Sequence, residues 1–160
     1  LPINSNKVTI AFWIKTTQTT TGIIAELSPS WFSSGVNAFA TSVNSGTANK
    51  LYMGEQTTNT VRNARDSSAN INDDAWKRIT VVIDRTKGTA NKITLYINGS
   101  LAGITASTNG STAGNFVNNI FFVGQRGGST MGFNGSLMHL EVLNYPITAT
   151  EALADYNSFL

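Results

Sequence analysis

Nine carboxylates, eleven Lys and Arg residues, one histidine and no cysteine bound the chemistry open to this chain. A glycoside hydrolase needs one carboxylic acid to protonate the leaving group and a second carboxylate to attack or to activate water. On a strand the two would share a face at i, i+2 spacing, and no two acidic residues here stand so in a segment of strand character. His139 is alone, which excludes a zinc site built mainly from imidazoles. Glu141, two residues on, shares its strand face, and a carboxylate can orient an imidazole. No Ser, Cys or Tyr is spaced beside the pair to be activated, so it reads as an exposed pair on a sheet. Without cysteine there is no thiol nucleophile, disulfide or thiolate metal site. "GQRGG" (Gly124 to Gly128) lacks the Lys-Ser/Thr ending and the following helix of a phosphate-binding loop. Asp66, Asp73 and Asp74 stand at no spacing that forms a calcium loop, and Asp73-Asp74 reads as a turn pair. The residues describe a non-catalytic domain without a cofactor.

Binding asks for less. Recognition of a sugar needs an aromatic plate for the apolar face of a pyranose and planar donors for its hydroxyls. "SPSWFSSG" (Ser28 to Gly35) places Trp31 and Phe32 in a polar loop. Two readings stand for Trp31: a stacking plate, or a plug folded back onto a sheet end. Gln125 and Arg126, in the glycine-rich loop, supply donors at a rim or are simply solvated. Arg62 and Arg65 in "VRNARD" serve an acidic sugar or nothing. Trp13, Trp76 and Phe12 sit in strand patterns and are assigned to packing.

The elements that must position these groups are strands. "KVTIAFWIKT" (Lys7 to Thr16) alternates Val8, Ile10, Phe12 and Ile14 against Thr9, Ala11, Trp13 and Lys15, the pattern of a half-buried strand. "GIIAEL", "VNAFATSV", "KLYMGE", "WKRITVVID", "KITLYIN", "LAGIT", "NIFFVG" and "GSLMHLEVL" follow, each bounded by Gly, Asn, Ser or Asp. Many short strands separated by turn signals predict an all-β sandwich or barrel. Asn-Gly-Ser occurs at Asn98, Asn109 and Asn134. Asn98-Gly99 lies between two alternating runs, where a type I′ turn needs positive φ at both central residues, so it reads as a turn more readily than as a glycosylation acceptor. Thr148 and Glu151 form a capping-box pair ahead of one short helix that would pack through Leu153 and Tyr156.

One domain suits 160 residues. Charged residues are only 12%, about half the usual share, and Thr, Asn and Ser make up about a third of the chain. This polar but nearly uncharged surface suits an extracellular, cell-surface or virion setting. A net charge of +2 with scattered Lys and Arg gives no footprint for nucleic acid. No apolar run is long enough to enter a membrane as a span. The opening "LPINSNKVTI", with no initiating Met, basic region or cleavage site, has the look of a piece excised from a longer chain.

The order of the segments resembles the laminin-G-like domains of the concanavalin A-like lectin/glucanase superfamily. "VTIAFWIKTTQTTTGIIAEL" is similar to their opening strands. "DDAWKRITVVIDRTKGTANKITLYINGSLAG" is similar to the Trp-led central strand, turn and Tyr-hydrophobic-Asn-Gly ending. "NIFFVGQRGG" and "FNGSLMHLEVLNYPITATEALADYNS" are similar to the closing strands, Asn-aromatic bend and capped helix. The match is weakest between Pro29 and Asn72. Lys77 stands where the family often has His, and Met138 where it commonly has an acidic residue. The resemblance implies a two-sheet antiparallel jelly-roll sandwich with a short C-terminal helix over residues 1–160. It implies a glycan-binding, lectin-like module, for which the loop residues Trp31, Phe32, Gln125 and Arg126 are the candidate ligand-binding groups. Glycans or other protein subunits would be its partners. The surface composition leaves a second reading open, a structural or oligomerising domain of a bacteriophage appendage or capsid. A third, a hydrolase or lyase, lacks its carboxylate array.

Overall fold

The computed structural model describes residues 3–28, 37–126 and 131–160, and within them nothing is said of the side chains of residues 106 and 107. Among the described residues eleven strands are followed by one α-helix: β1 (Lys7–Lys15), β2 (Gly22–Leu27), β3 (Ala38–Val43), β4 (Leu51–Gln56), β5 (Arg62–Ser67), β6 (Lys77–Asp84), β7 (Ile93–Ile97), β8 (Ser100–Leu101), β9 (Ile104–Asn109), β10 (Phe121–Val123), β11 (Ser136–Leu143) and α1 (Ala149–Asn157). They form two antiparallel sheets, one in the order β11-β1-β6-β7-β8 and the other β10-β2-β3-β4-β5-β9. This is the jelly-roll sandwich that the resemblance implies, where the segment pattern predicts a sandwich or a barrel.

Alternation decides which side chains meet between the sheets. Val8, Ile10, Phe12 and Ile14 of β1 join Ile79, Val81 and Ile83 of β6, facing Ile24, Leu27, Phe39, Val43, Leu51 and Met53 of the second sheet. Phe39 packs edge-on against Phe116 with ring centroids 5.4 Å apart. β1 departs from its half-buried expectation, because its interior residues are buried on both faces. Its outer face is roofed by the C-terminal segment: Thr9 Oγ1 donates to the Tyr145 carbonyl at 2.7 Å, and Trp13 lies 5.8 Å from the Tyr156 ring.

At one end of the sandwich the filling is polar. Glu55, on the inner face of β4, receives Arg85 Nε at 2.8 Å and the Thr112 hydroxyl. The Arg85 guanidinium also stands 3.9 Å over the Phe116 ring. Both charged groups are buried, a placement tolerated only because each is paired and hydrogen-bonded.

Local chemistry accounts for the turns. Asn98 (φ 52°) and Gly99 (φ 72°) make the predicted two-residue hairpin between β7 and β8. The other two Asn-Gly pairs solve a different problem, close backbone approach. A Cβ on Gly110 would lie 2.0 Å from the Arg62 carbonyl oxygen, and one on Gly135 2.5 Å from that of Lys15. The Thr148 capping box forms as expected. The helix docks through Ala152, Asp155 and Tyr156, whereas Leu153 remains 46% exposed above Gly99. β5 was not legible as a strand: "RNARDS" is polar at nearly every position, yet it pairs on both sides with β4 and β9.

Candidate functional site

On the outer face of the six-stranded sheet, Glu26, Ala40, Gly54 and Ala64 lie opposite one another across β2 to β5. Ser42, Tyr52 and Asp66 form the next row, and Ala38, Gln56 and Arg62 the row on the other side. In these four strands every residue is buried except Tyr52 and Arg62. Those two are therefore the groups through which the middle of this sheet meets solvent.

Tyr52 is laid down along its own strand. A Cβ built on Gly54 would come within 2.6 Å of the Tyr52 hydroxyl oxygen, so only glycine leaves room for the phenol in this pose. The ring rests on Ala38 and Ala40. Burial holds the phenol's pKa above its ordinary value, while the positive charges of Arg62 and Arg126 draw it down and Asp66 pushes it up. The hydroxyl is thus neutral at physiological pH and available as donor and acceptor.

Arg126 flanks this floor. Its Nε donates to Glu26 Oε2 at 2.8 Å, and its Nη2 lies 2.8 Å from the same oxygen. Glu26 is fully buried, and its other oxygen, Oε1, has no hydrogen-bond partner. Burial raises its pKa, opposed by the hydrogen bond and charge of Arg126. Asp66 accepts the Thr47 hydroxyl through Oδ2 at 2.8 Å, leaving Oδ1 buried without a partner. The assembly is a partly exposed phenol between two planar cations, over buried carboxylate oxygens that lack donors.

Of the residues singled out from the sequence, Gln125 is exposed and Arg126 leans onto the sheet face. Trp31 and Phe32 lie outside the described residues. Arg62 belongs to the outer face, but Arg65 points inward and is buried. Its Nη1 donates to Asn63 Oδ1 and to the carbonyls of Ala64 and Thr108, and its Nη2 to that of Thr89, which gives it a structural task. Trp76 is a correction, being 40% exposed instead of packed. Glu141 is no isolated surface partner of His139, since it accepts Arg78 Nη2 at 3.0 Å. Asp73 and Asp74 are turn residues: Asp73 accepts from the Ala75 amide at 3.2 Å, and Asp74 has φ 61°. Among the described residues no three His, Asp or Glu side chains gather as a metal site. Tyr52 and Glu26 escaped the sequence reading. Their signal was present in the small residues at alternate positions of "AFAT", "YMGE" and "NARD", which mark one sheet face as a shallow floor.

In class the protein is a two-sheet antiparallel jelly-roll sandwich. Residues 1–152 match the model of the concanavalin A-like lectin/glucanases superfamily, and the chain belongs to that family. No curated protein matches the sequence. Among solved structures it is similar to the native heptameric SAP-like pentraxin from Limulus polyphemus, with 18% identity, TM-score 0.68, and coverage of 96% of this chain and 71% of that one. It is similar also to the botulinum neurotoxin type G receptor binding domain, with 19% identity, TM-score 0.68, and coverage of 96% and 38%. The binding domain of botulinum neurotoxin DC in complex with SialylT gives 15% identity, TM-score 0.65, and coverage of 97% and 36%. The chain thus spans little more than a third of the neurotoxin chains, and these likenesses establish its fold.

Proposed function

We propose that this domain is a non-catalytic glycan-binding module of a secreted, cell-surface or virion protein, and that the Tyr52 face binds an acidic sugar. The observation that carries the reading is that β2 to β5 open to solvent only at Tyr52 and Arg62, with Arg126 alongside. A phenol ring offers a stacking surface, and guanidinium groups match a sugar carboxylate in plane and charge. Gln125 is proposed as a further donor, and Trp31 and Phe32, which lie outside the described residues, as stacking residues. The neurotoxin DC binding domain solved with SialylT supports the choice of an acidic glycan as the first probe.

Retention on an array of sialylated and uronic-acid oligosaccharides tests it. Arg62→Ala should weaken binding at least about tenfold, the loss of one charge-assisted contact, in a protein whose circular dichroism shows the sandwich retained. Trp31→Ala, measured beside it, separates the loop from the sheet face. Wild-type protein that retains no glycan would overturn the reading. In that event a structural or oligomerising role takes its place, favoured by Ile120 (57% exposed) and Val123 (46%) at the short edge strand β10. Light scattering would then show an assembly.

A further inference from the structure

Trp76, 40% exposed, faces a cleft of about 290 Å³ that it lines with Trp13, Met138, His139 and Phe159. The cleft lies on the outer face of the five-stranded sheet, across the sandwich from Tyr52. β11 breaks its alternation there: Ala11 pairs with Glu141 but Trp13 with Met138, and the bulge puts His139 at φ 48°. The His139 ring stands 4.7 Å from that of Phe159. Met138 (42%) and Phe159 (39%) are as open as Trp76, so the walls of the cleft can be reached from solvent.

The charge around the cleft has a sign. Residues 127–160, which supply β11 and α1, hold Glu141, Glu151 and Asp155 and no Lys or Arg, although the whole chain carries +2. Beside the cleft Lys77 pairs with Asp73, Lys15 lies 3.8 Å from Asp74, and Arg78 bonds both Asp155 and Glu141. Three cations thus meet four carboxylates, which leaves one negative charge over. Arg78 is wholly buried and takes only Oε1 of Glu141. Oε2, on a side chain 45% exposed, accepts no hydrogen bond among the described residues. Arg78 also shows what fits. Its guanidinium carbon stands 5.1 Å from the Phe159 centroid while its N–H groups hold the two carboxylates. A second guanidinium can repeat this from outside, flat on the open indole of Trp76 with an edge toward Glu141. An ammonium, more strongly hydrated, gains less from aromatic walls. An anion is repelled, and an uncharged side chain leaves the surplus charge unanswered. We infer that this cleft docks an arginine side chain of a partner polypeptide, stacked on Trp76 and paired with Glu141. It depends neither on the Tyr52 face nor on the glycan reading.

The chain has three tryptophans, hence three indole N–H signals in a proton–nitrogen correlation spectrum. The probe is N-acetylated glycyl-arginyl-glycine amide, with its citrulline and lysine counterparts beside it. The arginine peptide should shift the Trp76 signal saturably, bind more weakly as salt is raised, and bind at least about fivefold more tightly than the citrulline peptide. Glu141→Gln should weaken binding about as much. Trp76→Ala should abolish the accompanying shift at Trp13, Trp76→Phe should restore most of it, and Arg62→Ala should leave it intact. Overturning results are an unmoved Trp76 signal, equal binding of the arginine and citrulline peptides, tighter binding of the lysine peptide, or affinity unchanged in Glu141→Gln. A Trp76 shift that grows with protein concentration in the absence of peptide would make a second copy the occupant, and would overturn the assignment as well.

Discussion

Glu26 is a carboxylate withdrawn from water, with Arg126 as its counterion and one oxygen unsatisfied. Its raised pKa fixes the sign of a pH effect. The native state takes up this proton at a higher pH than the unfolded chain does. The stability contribution is therefore fullest below the ordinary glutamate range and declines as the pH rises from there through the raised folded value. Arg126 limits that decline. Arg126→Ala should raise the Glu26 pKa further and strand a buried charge, destabilising the protein at neutral pH by about 3–5 kcal/mol. As the pH falls and Glu26 takes up its proton, the difference should shrink. Melting curves of both proteins across this range check it, and an equal difference at every pH would show that Glu26 does not titrate as described.

At the scale of elements, α1 is the roof of β1. Ala152 packs with Val82 and Tyr96, Tyr156 covers Trp13, and Asp155 anchors Arg78, whose side chain is wholly buried. Deleting Thr148 to Leu160 should therefore expose apolar surface and leave Arg78 with Glu141 as its remaining carboxylate partner. The expected loss is on the order of several kcal/mol, because both the apolar burial and a buried ion pair go at once. Denaturant unfolding measures it, and a truncated protein of unchanged midpoint would reduce the helix to an accessory. β5 shows the opposite balance. Its polar sequence forms a strand because neighbours supply hydrogen bonds to both edges and Arg65 finds four acceptors of its own.

For the whole molecule the expectation is binding without turnover. Among the buried carboxylates Glu55 is bound within the interior by Arg85, and Glu26 is held by Arg126. The second carboxylate of the Tyr52 face, Asp66 on β5, stands three strands away from Glu26 on β2, too far to serve with it as acid and base in hydrolysis. Incubation with β-glucans and alginates should release neither reducing ends nor unsaturated products. Turnover that vanished in Glu26→Gln would reverse this assignment and make the Tyr52 face an active site.

The sequence by itself determined the class of fold, most strand positions, the Asn98-Gly99 hairpin and the capped helix. Each rests on interactions between residues close along the chain: alternation, turn dihedrals and a cap three residues long. Only the tertiary structure decided which side chains stay accessible. Trp13 and Trp76 carry the same aromatic strand signal, yet one is roofed by α1 and the other opens a cleft. Tyr52 gains its pose from a glycine two residues away and from alanines on a neighbouring strand. Arg126 and Glu26 are 100 residues apart in sequence and 2.8 Å apart in space. Period and propensity record which face a residue occupies. What covers that face is settled by segments arriving from far along the chain, and that covering set the site.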